Sequence, residues 1–520
     1  MRIYLLFYFF AFANCANILF LSDIPSISHF MWSKILLDSL YERGHNITAL
    51  SVHVEKSRAN FTFLHLDKVV PEVNKLNDKY DFFEFFKLGV SIELSYFSKL
   101  LNIISKKSFE SQGYKQLQNY PENFKFDLVL YENSLDSCLL GILEKFKNTS
   151  PLIGITPKHS SRPFGANLLF PSFVPAHNLL VSSKMNFQQR LQSAISHLIE
   201  QIIINFYIKP ITRQNIEDHH ANVNLDEIQR RTKIYLVNSD GFTSYPIPLF
   251  SSQINVGGMH IKKPKSLQNE FNAIADNAIN GLIYFSLGTT LQNKLKREIS
   301  LKILRTFGRL SSYTFLWNFN QSKESLPMDL PENVKNFNWV PQNDILSHKN
   351  MKLFISHCDL LSIQEALFYA VPILSLPLPL ILFMDQPFYA NRIKQHGVSE
   401  TLSILDFTED EFYETIKNML ENKTYKENAK KVSKRFRDQP MTPIEKAIYW
   451  IEWIMRNPDA DLEGVAADLK FFAKYSFDVY GVFLTVFVSF CYSTLKFVIF
   501  IIKTCVYRRK NVKIFEKKSN

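Results

Sequence analysis

Residues 354–386 read FISHCDLLSIQEALFYAVPILSLPLPLILFMDQ, an order that suggests a site for a phosphorylated ligand. An apolar strand ends in a polar loop, a helix follows, and a second apolar run closes on Asp385 and Gln386. A helix start offers free backbone N–H groups and a positive dipole end to an anion. This loop, however, carries Cys358 and Asp359, so a carboxylate stands where a diphosphate would approach. At ~5 Å and an effective dielectric of ~20, two like charges repel by roughly 3 kcal/mol. The same Asp can instead cap the helix and stabilise the empty protein. Other reactive side chains lie far upstream. His29, in SISH, follows the apolar run NILFLSD, while Glu132 and Asp136 close another, FDLVLYENSLDS. An imidazole titrates near neutral pH and can take a proton from a hydroxyl. A carboxylate behind it fixes the tautomer and stabilises the imidazolium. Both acids suit that role, and the sequence does not choose between them. In isolation His29 reads as a polar loop histidine, and His45, in RGHNIT, as a structural one leading into a strand.

The elements that must position these groups alternate in type. NILFLSD, NITALSV, FDLVLYE and LIGITP are short apolar strands separated by helical stretches through about residue 250. A second series, GLIYFSLGT, YTFLWNF, VKNFNWV, KLFISH and VPILSL, follows a Pro-, Lys- and Gly-bearing linker at 256–268. Such alternation predicts parallel sheets covered by helices. The expected fold class is therefore α/β, with two Rossmann-like domains facing each other over residues 17–255 and 256–450. Ligands of such sheets bind in the crevice at the carboxyl ends of the strands. A chain of 520 residues exceeds one ordinary core, and its 46% hydrophobic and 14% aromatic content can fill two. No repeat at solenoid spacing and no low-complexity segment interrupts it.

Both ends are read as membrane-targeting segments. Residues 1–16, MRIYLLFYFFAFANCA, have the basic start, apolar middle and small residues of a signal peptide. A helix and linker are expected at 451–476, a transmembrane helix at 477–502 and a basic cytosolic tail at 503–520. Lys496 interrupts the span at a cost of about 2.5–3.5 kcal/mol at a helix centre, but a lysine can snorkel to the surface. The tail carries seven basic residues against one acidic, more than half of the formal +11, so the charge is local and is no nucleic-acid footprint. By the positive-inside rule the larger part is lumenal. Sequons at Asn46, Asn60, Asn148, Asn320 and Asn422 all fall on that side. The closing KKSN resembles a dilysine retrieval signal, which points to the endoplasmic reticulum membrane. Only Cys138 and Cys358 remain in the soluble part, too few for a disulfide framework.

NWVPQNDILSHKNMKLFISHCDLLSIQEALFYAVPIL…DQPFYAN resembles the signature of the UDP-glycosyltransferase family, the animal UDP-glucuronosyltransferase-like membrane enzymes. ISHFMWSKILLDSLYERGHNITAL, INVGGMHI, GLIYFSLGTT and FRDQPMTPIEKAIYWIEWIMRN extend the similarity over essentially the whole chain, closest to arthropod-type members. The resemblance implies two facing domains of the GT-B type, UDP-glucose or UDP-glucuronate as donor, and a small lipophilic acceptor. It further implies inversion at the sugar carbon with no metal or cofactor, and possible homo- or hetero-oligomers with related enzymes. His29 matches the family's catalytic base, with Glu132 or Asp136 behind it. Trp339 is expected beside the uracil, Gln342 near the ribose and Glu365 on the ribose hydroxyls. His357, Ser362, Gly288 and Thr289 are expected to face the diphosphate, and Asp385 and Gln386 the hexose. Two departures stand out. Animal members carry two glycines where this chain has Cys358 and Asp359, and about four extra residues, PLIL, precede Asp385. The competing reading is a family member with an impaired donor site that binds lipophilic ligands or a partner. A single-pass receptor with a lectin-like ectodomain fits the topology but not the Trp339–Glu365 pattern.

Overall fold

A computed structural model describes residues 15–518 apart from 81–89, 135–136, 148, 159–167, 169, 177–178, 180, 221–222, 289–294, 320–327, 379–384, 463, 465–468 and 470. The chain forms two compact units, residues 1–462 and 463–520.

The first unit contains two wholly parallel sheets. One has seven strands in the order β3-β2-β1-β4-β5-β6-β7: β1 Asn17–Ser22, β2 Asn46–Ser51, β3 Phe61–His65, β4 Leu128–Glu132, β5 Leu152–Thr156, β6 Thr232–Val237 and β7 Gln253–Asn255. The other has six in the order β10-β9-β8-β11-β12-β13: β8 Leu282–Ser286, β9 Thr314–Asn318, β10 Val334–Phe337, β11 Met351–Ser356, β12 Ile373–Ser375 and β13 Ser399–Thr401. Their central strands are apolar on both faces, as parallel strands buried between helix layers must be. LVLYE of β4 and LIYFS of β8 are buried at every residue.

Six helices frame the crevices, the outer surface and the chain end. They are α1 Ile27–Glu42, α2 Phe187–Ile203, α3 Leu360–Phe368, α4 Gln386–Gln395, α5 Pro443–Arg456 and α6 Phe477–Lys518. Trp32, Leu36, Leu37 and Leu40 of α1 pack onto the first sheet together with Ala447, Ile448, Ile451 and Ile454 of α5. The chain thus returns to its first sheet after completing the second. A capping box starts α5, with Thr442 Oγ1 accepting from the Glu445 N–H and Glu445 accepting from the Thr442 N–H.

In each sheet the strand order reverses between two central strands, β1 and β4 in the first, β8 and β11 in the second. The helices leaving those strands go to opposite sides and open a crevice at their carboxyl ends. Ser22 and Glu132 close the first pair, and Ser286 and Ser356 the second. His29 and His357 follow these points in sequence.

The second unit holds α6, whose Phe477–Arg508 portion is long and apolar enough to cross a membrane. The helix begins at Phe477. The helix runs past residue 502 because the basic tail continues it to Lys518.

Candidate active site

At the first crevice, α1 begins five residues after β1, which carries His29 in its first turn back over the strand ends. His29 Nδ1 lies 2.5 Å from Glu132 Oε1. Two serines also hold that carboxylate: Ser22 Oγ donates to Oε2 at 2.6 Å, and Ser134 Oγ donates to Oε1, the oxygen facing His29, at 2.8 Å. Glu132 is 1% exposed, whereas the His29 side chain is 19% exposed, so the acid is sealed and the ring reaches solvent. Burial alone would raise the Glu132 pKa, but the His29 charge and the three hydrogen bonds outweigh it and hold the carboxyl below its usual range. The pair is therefore a buried carboxylate that orients and polarises an accessible imidazole. Asp136, the alternative partner, lies outside the described residues.

Asp23, next along from Ser22, adds a second buried carboxyl. It accepts from the Cys138 N–H at 3.1 Å and from the Cys138 thiol at 3.2 Å. Burial pushes its pKa up to about 6, with the Cys138 hydrogen bond opposing and the Glu132 charge adding.

At the second crevice lies a cavity of about 610 Å³. Its walls include Trp339, Gln342, Ser362, Glu365, His357 and Gly288, bringing together six of the residues expected on the donor side. The α1 residues Ile27, Ser28 and Met31 close it from the other sheet. His29 itself is not among the lining residues, because its ring turns to Glu132. One helix thus borders the cavity and carries the imidazole.

The donor-side groups are linked. Gln342 Nε2 donates to Glu365 Oε2 at 2.6 Å and to Ser362 Oγ at 3.1 Å. Trp339 is 61% exposed and leaves its indole open to a ring. Gly288 has φ +68, and a Cβ there would come within 2.6 Å of His357 Cε1, so only glycine lets the β8 turn close over the imidazole. Burial lowers the His357 pKa, against the opposing charges of Asp359 and Asp385, so that ring offers little positive charge to a phosphate. Nδ1 of His260 is buried in the cavity wall without a hydrogen-bond partner, while His357 Nε2 faces Asp359 Oδ1 at 3.4 Å. Buried polar atoms are nearly always satisfied, so the cavity is built for a polar ligand.

Asp359 is the N-cap of α3, its Oδ2 accepting from the Ser362 N–H at 3.2 Å. It therefore occupies one of the free backbone donors at the start of α3. Cys358 sits at φ +66, a left-handed conformation suited to glycine. Its side chain is fully buried in the second sheet's core, so packing offsets the backbone cost. Burial pushes that thiol up to about 12, which leaves it protonated and unreactive.

Other expected residues stand apart. Gln386 starts α4, but its Oε1 accepts from the Leu378 N–H at 3.0 Å, and neither it nor Asp385 lines the cavity. Thr289 and the extra residues before Asp385 lie outside the described residues. The reading by motif missed His260, Lys262, Lys263, Lys265, Tyr284 and Asn318, all in the cavity wall. Lys262, Lys263 and Lys265 had a visible signal, the KKPK run, read only as a linker. Their segment is strapped to the wall, with the Lys265 N–H donating to Asp344 at 2.9 Å and Tyr369 Oη donating to the Lys262 carbonyl at 3.0 Å.

A family profile described as UDP-glucoronosyl and UDP-glucosyl transferase matches residues 19–512. The chain belongs to the UDP-glycosyltransferase family. It is 29% identical over 507 residues to UDP-glucosyltransferase 2 of Dactylopius coccus, covering 92% of each chain. It is 27% identical over 501 residues to UDP-glucuronosyltransferase 1A8 of Rattus norvegicus, covering 92% of this chain and 89% of that one. Among solved structures, the fold resembles a UDP-glucose:anthocyanidin 3-O-glucosyltransferase in complex with UDP, with a TM-score of 0.56 at 18% identity. That match covers 85% of this chain and 99% of the other. The expected family and GT-B-type fold are thereby established.

In this UDP-glycosyltransferase the Glu365 carboxyl is pushed up to about 8, first by burial, with Asp359 and Asp344 adding and the Gln342 hydrogen bond opposing. A carboxyl whose pKa rises on folding contributes stability that is full below its unfolded pKa and is lost as pH rises through the folded value. Without nucleotide, Glu365→Gln should raise the unfolding temperature relative to wild type at pH 8 and leave it nearly unchanged at pH 4.5. An equal shift at both pH values would show that Glu365 is already ionised in the empty protein.

Proposed function

We propose that the enzyme transfers a hexose or hexuronic acid from a UDP-sugar to a hydroxyl of a small lipophilic acceptor, inverting the anomeric carbon. The observation that carries this reading is the His29–Glu132 pair at one crevice, with α1 leading from it into the cavity of the other. His29 takes the acceptor proton while the hydroxyl oxygen bonds to the anomeric carbon. The bond from that carbon to the diphosphate breaks, and UDP leaves with the electron pair. Glu132 stabilises the imidazolium formed in between. On the donor side Trp339 takes the uracil, Gln342 and Glu365 the ribose, and the start of α3 with Gly288 and Ser362 the diphosphate. Asp385 and Gln386 take the hexose hydroxyls, Gln386 through its Nε2 while its Oε1 holds the Leu378 N–H. No metal or cofactor is part of this scheme, which follows the family resemblance.

The second reading, a ligand-binding relative with a weakened donor site, is favoured by Asp359 capping α3. Titration of the solubilised full chain with UDP-glucose and UDP-glucuronate tests the donor half. Saturable binding of one of them, competed by UDP, is expected. Failure of both to bind at millimolar concentration contradicts it.

The address belongs to the same proposal: a cleaved signal at 1–16, a lumenal unit, one span and a cytosolic tail in the endoplasmic reticulum membrane. Asn60 and Asn422 are exposed and suit glycan attachment, whereas Asn46 is half-buried at the start of β2 and its Nδ2 donates to Asn17 Oδ1 at 3.0 Å. Asn148 and Asn320 fall outside the described residues. Replacing Lys517 and Lys518 by Ser should let the protein reach the cell surface, read by surface biotinylation. Undiminished retention would assign residence to the span or the lumenal unit.

A further inference from the structure

Two successive residues at the end of β1 hold the two ends of one segment. Side chains of a strand alternate between its faces. Ile18 and Phe20 of β1 lie in the core shared with Trp32 and Leu36 of α1, whereas Leu19 and Leu21 lie in the core that contains Cys138. The bonds of the next two residues keep that order. Ser22, in step with Phe20, donates to Glu132 at 2.6 Å. Asp23, in step with Leu21, turns to Cys138: its Oδ2 accepts from the Cys138 N–H at 3.1 Å, the thiol at 3.2 Å and Ser137 Oγ at 3.4 Å. Residues 133–137 join the two anchored points, Glu132 and Cys138. From Cys138 the chain enters a short 3₁₀ helix to Glu144, buried through Leu143, so the far end of the segment stands on fixed core. Asp23 is 3% exposed and does not line the donor cavity. A polar group so deeply buried costs free energy unless it is hydrogen-bonded, and neither proton transfer nor donor binding accounts for this one.

We propose that Asp23 is a positioning residue for the catalytic pair: by fixing Ser137 and Cys138 to the end of β1, it keeps the Glu132 carboxylate set against His29. This rests on the reading of His29 as the base and Glu132 as its partner. Catalytic groups tolerate little slack, a displacement of about 1 Å from a change far from the chemistry costing up to about 10²-fold in rate. Ser22 restrains the carboxylate itself, and Asp23 the backbone that carries it. The hydrogen bonds rather than a charge do the holding. Burial pushes the Asp23 pKa up to about 6, yet a carboxyl that takes up a proton keeps an acceptor oxygen for the Cys138 N–H.

The test measures transfer by the full chain in membranes, from radiolabelled UDP-glucose and UDP-glucuronate to a mixture of phenols. The variants are Asp23→Ala, Asp23→Asn, Glu132→Gln and the double variant Asp23→Ala with Glu132→Gln. Asp23→Ala should lower kcat about tenfold or more and leave UDP affinity unchanged. Asp23→Asn keeps an acceptor oxygen and should stay within about threefold of wild type. Once Glu132 has lost its carboxylate, Asp23→Ala should cost less than about twofold more, because residues that act through one another are not additive. Losses that multiply in the double variant overturn the inference, since Asp23 then acts independently of Glu132. Asp23→Ala at the wild-type rate, or Asp23→Asn as slow as Asp23→Ala, overturns it as well, and both leave the base reading standing. Glu132→Gln at the wild-type rate, or no transfer by the wild type, contradicts the proposed function and takes this inference with it. Thermal unfolding is read on each variant. Where Asp23→Ala does not fold, Asp23→Ser, too short to reach Cys138, replaces it with the same expectations.

Discussion

His29→Ala lowers turnover by 10²-fold or more, within the roughly 10²–10⁴-fold contribution of a general base, and leaves UDP affinity unchanged. The expectation follows from geometry. The ring is held at 2.5 Å by a buried Glu132, yet it lies outside the cavity wall that would hold the nucleotide. Proton transfer and donor binding should therefore separate in mutation. Ser22 bonds the carboxylate at Oε2 and Ser134 at Oε1, so Glu132 cannot swing off to another partner without losing two hydrogen bonds. Steady-state rates and a UDP titration on the same preparation check it. Wild-type turnover in the mutant would remove His29 from the mechanism, and a parallel loss of UDP affinity would make its role structural.

Asp359→Gly should tighten UDP binding about 5- to 150-fold, from ~1–3 kcal/mol of relieved repulsion at tenfold per 1.4 kcal/mol. The cap geometry gives the effect a second cause. Asp359 Oδ2 holds the Ser362 N–H, one of the donors that the start of α3 would offer a phosphate, and glycine frees it. Asparagine can keep the cap but loses the charge, so Asp359→Asn should recover part of the gain. The cost is local: losing a capping side chain weakens a helix by a few tenths of a kcal/mol with glycine. Titration with UDP between pH 5 and 8 reads both variants. Unchanged affinity in both would show that the carboxylate does not oppose the donor. If glycine restores binding but not turnover, the defect lies in the residues inserted before Asp385.

The sequence carried the alternation of strands and helices, the GT-B-type arrangement, and the residues from Trp339 to Glu365 that come together at one cavity. These depend on local pattern and on a long motif. The choice of Glu132 depended on which strands are neighbours. β1 and β4 are separated by more than a hundred residues, and only their pairing, Leu21 beside Tyr131, sets Ser22 and Glu132 side by side. The reason for Gly288 was likewise invisible, because the ring that excludes a Cβ there belongs to His357, beyond another strand. Asp359 could be recognised both as a misplaced charge and as a helix cap, and what the fold adds is the donor it occupies, the Ser362 N–H. The KKPK run looked like a linker because exposed lysines usually are one, and its place in the cavity wall arises from hydrogen bonds to Asp344, Asn343 and Tyr369.

Sugar transfer is the most direct measurement. The full chain in membranes is incubated with radiolabelled UDP-glucose or UDP-glucuronate and a mixture of phenols and other lipophilic alcohols, beside His29→Ala. The proposed mechanism predicts that one donor yields labelled glycoside and an equal amount of UDP, with the mutant slower by 10²-fold or more. Donor binding without UDP release above the His29→Ala level would contradict it, and would make the protein a binder built on an enzyme's fold.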